Sequence, residues 1–183
     1  MPSGGHSFMS RFYKGLRALV MALCLAVTGF AGTAQAQDPS FLTFSAGKFD
    51  FNRQKNEAVE FGVQWRGSEK LWIFQPMVGA MGTTDISGNI YAGISLDIFF
   101  GNRLVFRPSF APGLYTKGSK GHDLGHVIEF RSGGEFAYRF DDRSRLGLEI
   151  YHLSNAHLGK KNPGEESIVL TYSVPTSKLL GGQ

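Results

Sequence analysis

The sequence has one cysteine in 183 residues, Cys24, and that residue lies in a stretch read below as removed. Without it the chain has no disulfide framework, no cysteine nucleophile and no thiolate metal site. Excess charge of one sign is also scarce. The net formal charge is +4, which gives little support to nucleic acid as a partner. After about the first 35 residues there is no long apolar helical pattern, so neither a helical bundle nor a spanning helix is indicated. Internal repeats, linkers and low-complexity segments are missing too. Glycine, at 24 residues, and aromatics, at 13%, are plentiful, as suits strands joined by many turns.

The first 36 residues have the layout of an export signal. Arg11, Lys14 and Arg17 give a positive start, positions 18–31 form an apolar run, and Ala34-Gln35-Ala36 supplies an A-x-A cleavage pattern. The run is too short to cross a hydrocarbon core of about 30 Å as a helix. Met21, Ala22 and Leu23 before Cys24 make a poor lipoprotein site. The expected organisation is therefore a cleaved signal peptide over 1–36 and one domain over 37–183. Removal of those three cations leaves a net charge of +1.

From Phe41 onward the chain breaks into about eight runs of roughly ten residues, the length that crosses a membrane as a tilted strand. Val59, Phe61, Val63 and Trp65 alternate with Glu60, Gly62 and Gln64; Ile90, Ala92, Ile94, Leu96 and Ile98 alternate with Tyr91, Gly93, Ser95 and Asp97. Leu104, Phe106, Phe110 and Leu114 share a parity opposite Arg107 and Ser109. Ile128, Phe130, Phe136, Tyr138 and Phe140 oppose Glu129, Arg131, Glu135 and Arg139. Leu146, Leu148 and Ile150 oppose Gly147 and Glu149, and Ile168, Leu170, Tyr172 and Val174 oppose Ser167, Thr171 and Ser173. Period two is the strand signature, since successive side chains leave opposite faces. Runs over 41–51 and 71–82 are less regular.

Two architectures use such strands. A soluble barrel or sandwich turns its apolar face inward, whereas a membrane barrel turns it to lipid. The polar face here mixes glycine with both charge signs, as a narrow lumen filled by ion pairs requires. Aromatics gather near run ends, at Phe99-Phe100, Tyr115, 136–140 and Tyr151, as interfacial girdles do. The expected fold is an all-β, eight-stranded antiparallel transmembrane barrel of the outer-membrane type. Joins near 67–70, 101–102 and 141–144 are short, and those near 52–56, 83–88, 116–124 and 155–165 are on average longer. Short turns on the periplasmic side put both chain ends there and the longer loops outside.

The densest chemistry lies in Tyr151-His152-Leu153-Ser154-Asn155-Ala156-His157 and Asn162-Pro163-Gly164-Glu165-Glu166. A serine needs a base to become a nucleophile, and the base needs a third group to fix its tautomer. His152 and Ser154 are two apart on one strand, so they share a face at about 6–7 Å. They continue the outward set of Leu146, Leu148 and Ile150, while Glu166 opens the outward set Ile168, Leu170 and Tyr172. Polar groups on a lipid-facing surface are costly. A Ser, a His and a Glu meeting there point to a substrate held in the outer leaflet. The bland alternative is a set of interfacial polar residues. Parity favours Glu166 over Glu165.

These residues resemble the signature of the lipid A 3-O-deacylase (PagL-like) family, H-x-S-N-A followed by N-P-G-x-E. The resemblance implies an outer-membrane barrel of eight strands that removes the 3-O-linked acyl chain of lipid A without a cofactor or metal. It also implies Ser154 as nucleophile, His152 as general base, Glu166 as the group orienting His152, and Asn155 as part of the oxyanion hole. The implied partners are lipopolysaccharide and outer-membrane lipids; pairing with a second copy is left open. The chain departs from the family where His157 stands for the usual Gly after S-N-A, and in a tail over 178–183 without a terminal aromatic.

Lys117, Lys120, Lys160 and Lys161 fall in predicted outer loops, where cations serve either solvation or lipid A phosphates. Lys160 and Lys161 are the substrate-binding candidates. His122, Asp123 and His126 resemble a metal cluster, but a solvated loop accounts for them. Two rival functions stand beside ester hydrolysis: a non-catalytic small barrel serving as adhesin or structural element, and another outer-membrane lipid hydrolase, such as a calcium-dependent phospholipase.

Overall fold

A computed structural model describes residues 38–53, 57–118, 120–179 and 181. The expected signal segment, 1–36, lies outside the described residues. The strands are β1 (Phe41–Phe49), β2 (Ala58–Arg66), β3 (Gln75–Thr83), β4 (Gly88–Ser95), β5 (Ile98–Phe100), β6 (Leu104–Thr116), β7 (Ile128–Arg139), β8 (Arg145–Ser154) and β9 (Glu165–Pro175). Each pairs antiparallel with its neighbour, and β1 also pairs with β9, from Phe41↔Pro175 to Lys48↔Ile168. The sheet thus closes on itself. β4 and β5 are two segments of one strand, so the barrel has eight strands.

The interruption at Leu96-Asp97 has a cause on the neighbouring strand. Ser95 pairs with Ser109 and Ile98 with Phe106, which leaves Leu96 opposite Pro108 in an unbroken register. Leu96 N–H donates to Pro108 O at 3.1 Å, but proline has no N–H to return the bond. The alternation read through 90–98 therefore holds while the ladder breaks. The run expected over 71–82 begins at Gln75 instead. Leu71 and Phe74 close a tight turn through reciprocal backbone bonds of 2.7 and 3.1 Å, with Trp72 at φ 63° between them.

The apolar face is on the outside. Val59, Phe61, Val63 and Trp65 are exposed, while Glu60 and Arg66 of the same strand are buried; β6, β7, β8 and β9 repeat the pattern. Eight strands enclose a lumen that side chains can fill. Asp97 accepts hydrogen bonds there from Arg66 at 3.1 Å and from Arg107 and Arg145 at 2.8 Å each. Arg131 pairs with Glu149 at 2.8 Å, and the Arg66 and Arg145 guanidiniums both pack on the Phe41 ring, 4.6 and 4.5 Å from its centre. The cavity among Glu60, Tyr91, Arg107, Arg131, Glu149 and Tyr151 measures about 20 Å³, room for about one water.

At the end away from the start of β1 and the end of β9 the lumen is capped by an apolar cluster of Phe49, Met81, Tyr115, Leu124, Tyr151, Leu153 and Val169. Leu124 comes from the connection over 117–127, not from a strand. At the opposite end a short helix, α1 (Thr176–Leu179), follows β9, and Lys178 Nζ reaches Asp142 Oδ2 at 2.6 Å.

Candidate active site

β8 and β9 meet in a hairpin whose register sets His152 directly across from Glu166. Both have the parity of the exposed residues Leu148, Ile150 and Leu170, so both side chains stand on the outer wall. His152 Nδ1 is 3.0 Å from Glu166 Oε1. The pair is partly covered, with side-chain exposures of 39% and 23%, so the imidazole is the more open of the two and the carboxylate the more enclosed. Ser154 continues the same face of β8 and is half-buried. The structure brings His152 and Glu166 together but does not close a hydrogen bond from Ser154 Oγ to His152 among the described residues. Such bonds commonly tighten only when substrate is present. Glu165, one residue earlier, points into the lumen, where Ser167 Oγ lies within 3.2 Å of it and 2.7 Å of Glu60.

Asn155 directly follows β8 and is fully buried. Its side-chain NH2 donates to Leu124 O at 2.7 Å and to Lys161 O at 2.8 Å, and its backbone N–H donates to Asn162 Oδ1 at 3.0 Å. Both amide hydrogens are thus committed to bracing the loop, and the backbone N–H is engaged by Asn162. The chain then turns sharply. Ala156 and His157 both take positive φ, 50° and 65°, and Leu158 N–H donates to Asn155 O at 2.9 Å. Two left-handed central residues define a type I′ turn, which favours Asn and Gly. His157 therefore occupies a position that glycine would fill without steric cost.

The N-P-G stretch approaches the imidazole from above. Gly164 has φ 65°, and a Cβ added there would stand 2.6 Å from His152 Cε1 and 3.1 Å from Nε2. A glycine is required both for the backbone and for the close approach. Sequence reading did not single out Arg53, from the connection between β1 and β2. Its guanidinium donates to Pro163 O and, at 3.4 Å, to Gly164 O, and sits 3.8 Å from Glu166 Oε1. Nothing local in the sequence marks it, because its partners lie more than a hundred residues away.

Lys160 and Lys161 are exposed beside this site, Lys161 Nζ standing 3.6 Å from Asp123 Oδ2. His126 Nδ1 accepts a bond from its near neighbour Ile128 N–H at 3.0 Å. Among the described residues no three His, Cys, Asp or Glu side chains converge as a metal site.

A family model described as lipid A 3-O-deacylase (PagL) matches residues 41–175. The chain belongs to this family. Its membership supports lipid A 3-O-deacylase activity in general, a carboxylic ester hydrolase, and a place in the outer membrane. The barrel resembles the crystal structure of the outer membrane enzyme PagL with a TM-score of 0.59 and 17% identity, over 74% of this chain and 99% of the other. It resembles a structure from the de novo design of transmembrane β-barrels with a TM-score of 0.54 and 13% identity, over 78% and 100%. At those identities the likeness is one of fold. No match was found among curated proteins.

Proposed function

We propose that this PagL-family chain hydrolyses the 3-O-linked acyl ester of lipid A in the outer leaflet, with Ser154, His152 and Glu166 as its catalytic triad. The observation that carries the reading is the 3.0 Å approach of Glu166 Oε1 to His152 Nδ1 on the outer wall, with Ser154 on the same face. A carboxylate at Nδ1 leaves the proton there and the lone pair on Nε2, the nitrogen free to serve as base.

In the proposed reaction Ser154 Oγ attacks the acyl carbonyl carbon as His152 Nε2 takes the hydroxyl proton. The tetrahedral oxyanion is met by the Asn155 N–H. Asn162 Oδ1, a carbonyl oxygen accepting that bond at 3.0 Å, stands in for the oxyanion until substrate displaces it. Collapse breaks the bond to the 3-oxygen of the sugar, which takes the proton from the imidazolium. Water, deprotonated by His152, then cleaves the acyl-enzyme and frees the fatty acid. Glu166 stabilises the imidazolium in both halves.

Orientation follows the same reading. Chain termini in the periplasm place the 155–164 hairpin loop and its triad at the outer-leaflet interface, where the reacting ester and water meet. Residues 1–36 serve as the cleaved signal that brings the chain there. Lys160 and Lys161 supply exposed cations for the lipid A phosphates. The test is mass spectrometry of lipid A from cells carrying the wild type or Ser154→Ala. Loss of one 3-O-acyl chain with the wild type alone supports the reading. Unmodified lipid A in both indicates a non-catalytic barrel, and acyl loss with Ser154→Ala removes the proposed nucleophile.

A further inference from the structure

The connection over 117–127 is built into the turn that follows Ser154. Leu124 is buried in the apolar plug at the lumen mouth, packed among Tyr115, Tyr151 and Leu153. Its carbonyl accepts one hydrogen of the Asn155 amide at 2.7 Å, and Lys161 O accepts the other at 2.8 Å. The next residue, Gly125, has φ 90°, and a Cβ there would collide with the Lys161 carbonyl. Facing it, a Cβ on Gly159 would fall 2.5 Å from Gly125 O and 3.3 Å from His126 Cβ. The two loops therefore interlock, backbone against backbone, through a pair of glycines. Tyr115 adds a third tie by donating from its hydroxyl to His122 O at 2.8 Å.

We propose that the 117–127 loop is a positioning element for the oxyanion-binding turn, with Leu124 and Gly125 as its positioning residues. The proposal rests on the triad and oxyanion reading above and adds what fixes the Asn155 N–H in space. Asn155 lies at the end of a strand and enters a turn of two left-handed residues, Ala156 and His157, neither of which favours that conformation. The turn's geometry is thus held from outside, by the carbonyl of a residue locked into the lumen plug. An oxyanion donor acts only when it is held in place before the charge develops. A displacement of about 1 Å at such a group costs on the order of a hundredfold in rate.

The experiment measures kcat and KM of the purified full barrel on lipid A in detergent micelles for wild type, Leu124→Ala, Leu124→Met, Gly125→Ala, Gly159→Ala and Ser154→Ala. Heat-modifiable migration on gels shows which are folded. Leu124→Ala, Gly125→Ala and Gly159→Ala are expected to lose roughly ten- to a hundredfold in kcat with KM within twofold. Leu124→Met, which refills the plug, returns kcat to within threefold of the wild type. Gly159→Ala strikes the interlock from the other loop and leaves the plug intact, so it carries the test if Leu124→Ala does not fold. Folded variants with wild-type kcat, or with raised KM at unchanged kcat, overturn the positioning role while an inactive Ser154→Ala leaves the triad standing. An active Ser154→Ala overturns the triad itself, and this inference with it.

Discussion

Replacing Glu166 with Gln removes the charge at the 3.0 Å contact with His152 while keeping the side chain's volume. The loss follows from what that charge does when His152 becomes an imidazolium. Opposite unit charges about 4 Å apart interact by about 4 kcal/mol at an effective dielectric constant of about 20. The His152 side chain is 39% exposed and that of Glu166 23%, so water screens the pair and about half of this, ~2 kcal/mol, is a fair lower bound. At 1.4 kcal/mol per tenfold, the range corresponds to a fall in kcat of roughly thirty- to a thousandfold. The ground-state enzyme keeps its substrate contacts, so KM should change little. Folding should respond little, because Gln keeps a hydrogen-bond acceptor at His152 Nδ1 and a single such bond is worth about 1 kcal/mol net. The assay is release of fatty acid from lipid A micelles by the folded barrel. Glu165→Gln is the control, since that side chain points into the lumen beside Ser167 and Glu60 and should leave kcat within about threefold. Glu166→Gln at wild-type kcat, or an equal loss in both variants, would refute the assignment.

Three other outcomes follow from contacts already described. Gly164→Ala sets a Cβ 2.6 Å from His152 Cε1 at a backbone φ of 65°; kcat should drop at least tenfold in a barrel that still folds, as read by steady-state rates beside heat-modifiable migration. Arg53→Ala removes the donor to Pro163 O and Gly164 O, and hydrogen exchange should show faster opening over 162–166, with unchanged exchange there counting against the contact. Asp97→Asn leaves Arg66, Arg107 and Arg145 in the lumen without their shared carboxylate, a loss of about 3–5 kcal/mol by analogy with broken buried pairs. The temperature of the gel-mobility change should fall clearly, and an unaltered transition would contradict that network's role.

Much of the barrel was legible because period-two alternation needs only neighbouring residues. The outward set of β8 ran from Leu146 through Ile150 to His152 and Ser154 in the sequence as it does in space. The break at Leu96-Asp97 was not legible, because its cause is the missing N–H of Pro108 on another strand. Leu71 and Trp72 looked like the start of a strand; their apolar side chains instead sit in a turn, Trp72 85% exposed, as suits an aromatic at a membrane interface. The His152–Glu166 contact could be anticipated from parity and a single hairpin. The bracing of Asn155 by Leu124 could not, since it joins two separate connections, 31 residues apart, and depends on glycines whose close approach no local pattern announces. His157 in a left-handed conformation ran against its own preference and required the fold to be seen.

The account stands on a serine made reactive on the outer wall. The most direct measurement is treatment of the folded wild-type barrel with a lipophilic fluorophosphonate, followed by peptide mass spectrometry. The predicted result is one phosphonyl adduct, on Ser154, absent when His152 is replaced by Ala. An enzyme that releases fatty acid yet takes no adduct at Ser154, or takes it at another residue, would contradict the account.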